Sequence, residues 1–299
     1  MPELPDISSY LVALRRQIVG QRLETIHVRS PFLVHTVTPE LESLIGETVQ
    51  DLSRIGKRIV WHFSQERYLI FHLMIAGRYH WKKPGTRPSG KNDLAAFGFT
   101  QGTLMLTEAS KKKRATLHLV VGLSALDQFD RGGIDPLQCS LPQFSAAMRR
   151  ENHTLKRSLA DPRLLSGIGN AYSDEILFAA RLSPVLLTSR INDEQLATLH
   201  AAMQQVLSEW TDRLNQEAAR AFPERVTAFR PEMAVHGKFG QPCVVCGTTI
   251  QRIVHAENES NYCPRCQTGG KLLADRSLSR LLKDDWPKTI EEWEERRNS

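Results

Sequence analysis

The chain has no run of about 20 apolar residues, so no membrane-spanning helix is expected among its 299 residues. Its first residues, Met1-Pro2-Glu3-Leu4-Pro5-Asp6, hold acids and prolines where a secretory leader has an apolar core. No leader is therefore expected, and the expected compartment is the cytoplasm. Cysteine is scarce. Of five, four fall into two C-x-x-C pairs, which suits a metal in a reducing compartment better than disulfides. Cys139 is left over and reads as an inert buried thiol. No internal repeat is evident. Acids are outnumbered, 33 against 39 bases, for a net charge of +6 and a sequence pI of about 9.1. That balance leans modestly toward a polyanionic partner. With 41% hydrophobic and 24% charged residues, the chain can build two ordinary cores.

Ile7, Tyr10, Leu11, Leu14 and Ile18 share one face of a helix over 7–18, with Pro5 and Asp6 suited to its first turn. From 22 to about 122 the pattern is of strands: 58–63 and 68–72 around a turn at 64–67, 94–100 and 103–107 around Gln101-Gly102, then 117–121. Several short strands with turns between them suggest a β-sandwich. The stretch 84–92 is a Gly/Pro/Ser/Lys loop. Gly132-Gly133-Ile134-Asp135-Pro136-Leu137 reads as a break between domains. Beyond it Leu196, Leu199, Met203, Val206, Leu207, Trp210 and Leu214 recur at helical spacing after an Asn192-Asp193 cap. The charged stretch 271–299 carries Leu278, Leu281, Leu282, Trp286, Ile290 and Trp293 and reads as one or two short helices packed on the body.

Three patterns carry chemistry. Pro2 is small enough for Met1 to be removed, leaving a secondary amine followed by the Glu3 carboxylate. A terminal amine titrates near pH ~8, so a fraction is neutral and nucleophilic at neutral pH. Attack of such an amine on a sugar C1′ gives an iminium, an electron sink. The positive end of the helix dipole would favour the neutral amine. Taken alone, the same residues also read as a plain Met-Pro start with a helix cap. Second, Cys243-x-x-Cys246 and Cys263-x-x-Cys266, 16 residues apart, make a zinc-ribbon pattern for one structural ion. Third, Gly167-Ile168-Gly169-Asn170 opens a helix, a turn that offers backbone N–H groups to an anion. Lys57, and the run Lys111-Lys112-Lys113-Arg114, read alone as solvated charges or as phosphate contacts.

Taken together, these features resemble the formamidopyrimidine-DNA glycosylase / endonuclease VIII family of base-excision repair enzymes. The resemblance runs from Pro2 to about Gln267. It includes the lead-in His236-Gly237-Lys238-Phe239-Gly240-Gln241-Pro242-Cys243 and the segment Leu155-Lys156 before Gly167. It implies an α+β fold of two domains: an N-terminal β-sandwich with flanking helices over 1–132, and a C-terminal helix-two-turn-helix domain over 133–235 with a zinc ribbon over 236–270. Residues 271–299 are then a charged extension, and DNA lies in a basic cleft between the domains. The resemblance also implies a DNA N-glycosylase with AP-lyase activity. Pro2 is the nucleophile, Glu3 the general acid/base and Lys57 an assisting active-site residue. Ile75, Lys91, Lys111, Lys112, Lys156, Asn170, Lys238 and Asn258 are the expected DNA contacts. Zinc on Cys243, Cys246, Cys263 and Cys266 holds the hairpin tip against DNA. The partner is damaged or abasic DNA, and the protein is a monomer.

The chain departs from the family in four places. Glu108-Ala109-Ser110-Lys111-Lys112-Lys113 stands where formamidopyrimidine-type members have Asp-Pro-Arg-Arg-Phe-Gly, so their arginine and phenylalanine wedge is missing. His72-Leu73-Met74-Ile75-Ala76-Gly77-Arg78 puts Ile75 at the place of a wedge methionine. Asn258 replaces the arginine that grips the lesion phosphate and is tied to the second elimination step, which points to β-elimination over β,δ-elimination. Residues 268–299 run past the end of many relatives. These departures keep two other readings open: a damage- or structure-specific DNA-binding protein without efficient base excision, and an AP lyase without glycosylase activity.

Overall fold

The computed structural model describes residues 1–255, 258–274, 281 and 286–298. The chain divides into two compact units, one of Met1–Arg131 with Glu209–Thr227 and one of Gly132–Ser208 with Ala228–Ser299.

The first unit opens with helix α1, Leu4–Ile18. Glu3 caps it, Pro5 fills its first turn, and the stripe Ile7, Tyr10, Leu11, Leu14, Ile18 is buried in the core. Eight strands follow: β1 Thr25–Val28, β2 Asp51–Ile55, β3 Arg58–Phe63, β4 Arg67–His72, β5 Gly77–Lys82, β6 Asp93–Phe99, β7 Gly102–Glu108 and β8 Thr116–Val121. They form two four-stranded sheets, ordered β1-β6-β7-β5 and β2-β3-β4-β8, and every pairing is antiparallel. Side chains alternate between the faces of a strand. Ile59, Trp61, Phe63, Leu69 and Phe71 of one sheet therefore meet Ala95, Phe97, Phe99, Leu104 and Leu106 of the other in one core. Trp61 joins the two layers, its ring 4.8 Å from Phe71 and 5.4 Å from Phe97. The outer residues Val60, Tyr68 and Ile70 pack with Phe129 from the 3-10 segment Leu123–Phe129.

One turn differs from its sequence reading. The register pairs Phe99 with Gly102, so the hairpin turn is Thr100-Gln101 and Gly102 lies in β7. Gly102 is there for packing, because a Cβ on it would lie 2.4 Å from the Trp81 ring.

In the second unit, α2 Leu141–Arg149 starts from a Ser140–Gln143 capping box and α3 Leu155–Ala160 from Thr154. Then come α4 Asn170–Ala179 and α5 Asp193–Arg220. Asn192 caps α5, its Oδ1 accepting from the Gln195 N–H at 2.8 Å. The last turns of α5 cluster with the first unit. Strands β9 Gln251–His255 and β10 Asn258–Tyr262 make the hairpin between the C-x-x-C pairs, and α6 Pro264–Thr268 follows. A final helix spans Ile290–Asn298. It is pinned to the end of α6: Ile290 is buried, its N–H donates to Gly270 O at 2.9 Å, and the Leu272 N–H donates to Lys288 O at 2.9 Å. Leu281 is exposed, while Leu278 and Leu282 lie outside the described residues. Cys139 is buried, as its sequence reading holds.

Candidate functional site

The N-terminal site is built by the start of α1 and one tight turn. Asp6 Oδ2 accepts the Glu3 N–H at 3.0 Å, half of a reciprocal capping box, and both carboxylates are buried, at 1% and 3% exposure. Met1 is 37% exposed while Pro2 behind it is buried. Burial pulls the Met1 amine below its ordinary value; Arg78 and Lys57 push the same way, and Glu3 and Asp6 oppose them. Lys57 arrives from the two-residue turn between β2 and β3, where Gly56 takes φ +58°. Burial lowers its ammonium against the attraction of the same Glu3 and Asp6. An amine, two carboxylates and a lysine thus share one electrostatic environment, and the structure brings Pro2, Glu3 and Lys57 together.

Around it, His72 at the end of β4 pairs across the sheet with Arg58. Burial, together with Arg58, Lys57 and His118, holds it down to about 4, so it stays neutral at neutral pH. Beyond His72 the chain makes a tight loop in which the Gly77 N–H donates to Leu73 O at 2.8 Å. A Cβ at Gly77 would sit 2.2 Å from that oxygen, so the loop requires glycine. Arg78 fastens it by donating to Ile75 O at 3.3 Å, to Gly77 O at 2.6 Å and to Val226 O. Ile75 stands 49% exposed on this fixed loop, a geometry suited to an apolar wedge.

Lys91, Lys111 and Lys112 are exposed on loops of the first unit. The Lys111–Arg114 run is ordered from beneath by Glu108, which is 0% exposed. Its carboxylate accepts from Ser110 Oγ at 2.9 Å, the Arg114 N–H at 2.8 Å and the Ala115 N–H at 3.1 Å. Lys113 turns inward onto Glu108 O.

In the second unit two expected contacts also have partners within the protein. The Lys156 ammonium lies 2.5 Å from Asp174 Oδ1 and 2.5 Å from Asn170 O. Asn170, first residue of α4, donates through Nδ2 to Glu259 O in β10 at 3.0 Å. Asp174, fully buried, also meets His236 Nδ1 at 2.8 Å and Asn261 Nδ2 at 3.4 Å. Glu175 accepts the Ala234, Val235 and His236 N–H groups at 2.7, 2.9 and 2.8 Å. Helix α4 is thereby tied to both the lead-in and the hairpin of the zinc ribbon. Lys238 is half-buried and donates to Pro231 O at 2.8 Å. The backbone of Asn258 opens β10, and its side chain lies outside the described residues.

The four thiols of Cys243, Cys246, Cys263 and Cys266 lie within 4.8 Å of one another. Cys243 and Cys266 Sγ are 3.9 Å apart, and Cys246 and Cys263 Sγ 3.4 Å. A tetrahedron with Zn–S bonds of ~2.3 Å needs S···S separations of about 3.8 Å, so the donors fit one zinc ion. Burial pushes the Cys263 thiol up, and a dication at the centre supplies the charge that lets it ionise.

Sequence reasoning left Arg78, His72, Glu108, Asp174 and His236 without roles. Arg78, His72, Glu108 and His236 stand in motifs it quoted, while Asp174 and His236 act on each other across 62 residues. Among the described residues no helix is long and apolar enough to cross a membrane.

Comparison with known proteins follows the same division. Residues 1–115 match the formamidopyrimidine-DNA glycosylase N-terminal domain, 133–217 the H2TH domain of the same enzyme, and 240–269 a zinc finger found in FPG and IleRS. The formamidopyrimidine-DNA glycosylase of Heliobacterium modesticaldum is 31% identical over 278 residues, covering 89% of this chain and 100% of that protein. A Lactococcus lactis FPG variant solved with DNA containing Fapy-dG superposes with TM-score 0.80 at 28% identity, over 89% of this chain and 100% of the other. The Lactococcus lactis enzyme bound to DNA with an AP site gives TM-score 0.78 at 27% identity, over 89% and 99%.

Proposed function

We propose a mechanism for this chain, which belongs to the formamidopyrimidine-DNA glycosylase family and is a DNA glycosylase of base-excision repair with one structural zinc ion. Its substrate is damaged or abasic DNA, the ligand class in its solved relatives. It works as a cytoplasmic monomer. The observation that carries the mechanism is the setting at the start of the chain: Pro2 is buried, and the Met1 amine beside it, lowered by burial, feels Glu3, Asp6, Lys57 and Arg78.

After removal of Met1, the Pro2 nitrogen is the nucleophile. The damaged nucleotide is flipped from the duplex, at a cost of a few kcal/mol that is smaller for a damaged base. The Pro2 lone pair forms a bond to C1′ as the C1′–base bond breaks and the base leaves with its electron pair. Glu3 takes the proton from the Pro2 nitrogen and delivers it to the ring oxygen O4′ as the C1′–O4′ bond breaks, and an iminium forms between Pro2 and C1′. The iminium acidifies C2′–H. Loss of that proton breaks the C3′–O bond and releases the 3′ phosphate. Lys57, an ammonium beside the amine, holds phosphate and transfers protons. Ile75 fills the space of the extruded nucleotide. Lys91, Lys111 and Lys112 contact the backbone from the first unit, and α4 with the zinc hairpin grips phosphate in the second. Lys156, Asn170 and Lys238 are part of that grip, and their internal bonds also brace the elements that make it. Zinc holds the hairpin in shape and takes no part in the reaction.

Incubation with a duplex bearing one abasic site tests this reading. The expected product is a nick with an unsaturated aldehyde at the 3′ end, formed more slowly in Lys57→Ala. A clean 3′-phosphate end would overturn the β-elimination assignment. Recovery of protein retaining Met1, with DNA bound but never cut, would favour a binding protein on this scaffold.

A further inference from the structure

We propose that Arg252 is a phosphate anchor of the zinc hairpin, pre-oriented by Phe239 and Glu259 for the DNA backbone. The proposal rests on the reading of the chain as a DNA glycosylase. Arg252 lies in β9 with its side chain 44% exposed. Its guanidinium carbon sits 4.4 Å from the centroid of the Phe239 ring, itself 44% exposed. Nη1 is 3.2 Å from Glu259 Oε2. An aromatic face below and a carboxylate at one edge fix the plane of the group.

Glu259 is fixed in its turn. Its Oε1 accepts from Asn261 Nδ2 at 3.2 Å, and its carbonyl accepts from Asn170 Nδ2 at 3.0 Å. Asn261 is buried and reaches Asp174 of α4. The guanidinium is thus referenced to the first turn of α4 through one residue of β10. A guanidinium has five N–H donors, and the contact to Glu259 uses one edge, leaving others for a planar, bidentate approach to a phosphodiester. The ion pair to Glu259 is solvent-exposed, so an arriving phosphate need not displace a strong bond.

The test measures binding to a duplex carrying a tetrahydrofuran abasic analogue across a salt series, with zinc content and thermal midpoint recorded in parallel. Arg252→Met keeps the apolar stem on Phe239 and removes the charge. It is expected to weaken binding about tenfold and to reduce the slope of log K against log salt by about 0.9, one phosphate contact. Arg252→Lys is expected to restore the slope with only part of the affinity, since an ammonium lacks the fork. Phe239→Leu is expected to keep the slope and lose affinity a few-fold. An Arg252→Met protein with wild-type slope and affinity overturns the proposal. A wild-type protein without salt-dependent DNA binding overturns the underlying functional reading instead. If Arg252→Met lowers zinc content, Arg252→Lys and Phe239→Leu decide: wild-type affinity in both refutes the proposal.

Discussion

Replacing Glu108 by alanine should loosen the basic loop without touching a lysine. The carboxylate is 0% exposed and accepts from Ser110 Oγ, the Arg114 N–H and the Ala115 N–H. Arg114 is exposed and its N–H can find water, and Ser110 Oγ already has a second acceptor at Lys112 O, 2.6 Å away. Ala115 is 5% exposed, so its N–H stays dry and unpaired. An orphaned buried donor costs roughly 1–3 kcal/mol and each lost charge-assisted bond a further fraction of that, for a total of about 2–4 kcal/mol. Glu108→Gln keeps an acceptor in place and should cost about 1 kcal/mol. Urea unfolding followed by tryptophan fluorescence measures both, since Trp61 and Trp81 lie in the same unit. DNA affinity should fall in Glu108→Ala because Lys111 and Lys112 lose their platform. An alanine variant within about 0.5 kcal/mol of the parent, or a glutamine variant as damaged as the alanine one, would refute this role for the carboxylate.

Gly102→Ala should destabilise the first unit by about 1–3 kcal/mol through overpacking against Trp81, read in the same unfolding assay; a neutral substitution would show that the ring can move aside. After removal of Met1 the buried Pro2 amine meets the same Arg78 and Lys57 that lower the Met1 amine, so nicking at an abasic site should rise with pH along a limb below the ordinary terminal-amine value of ~8, the neutral amine being the active form. Lys57→Met removes one of the lowering charges and should move that limb to higher pH whatever it does to the rate, whereas Glu3→Gln removes a raising charge and should move it lower. Cys263→Ser should release zinc and abolish duplex binding while the strand signal of the first unit persists in circular dichroism; full DNA affinity without zinc would contradict the structural role of the metal.

The parts legible in the sequence are those whose partners are near in the chain. The stripe from Ile7 to Ile18 fixes α1, the Asn192 cap fixes the start of α5, and the spacing of Cys243, Cys246, Cys263 and Cys266 fixes the metal site, because each is written in local periodicity. Gly102 was misread as a turn residue since its true neighbour, Trp81, lies 21 positions away on β5. Strand β5 itself was hidden because Gly77 and Arg78 are used by the loop before it. Lys156 and Asn170 look like free phosphate ligands in sequence. Their polar groups also bond Asp174 and Glu259, 18 and 89 residues on, partners no local pattern shows. Glu108 carries no signal at all until the loop folds back and brings Arg114 and Ala115 to its carboxylate.

Borohydride trapping on a duplex with a single abasic site tests the central claim most directly, because reduction of the iminium leaves a permanent bond between protein and DNA. The expected result is a trapped species formed by the parent protein, absent in Pro2→Gly and reduced in Glu3→Gln. No trapped species from a protein that has lost Met1 and binds the same duplex, or undiminished trapping in Pro2→Gly, would contradict the assignment of the N-terminal proline as the nucleophile.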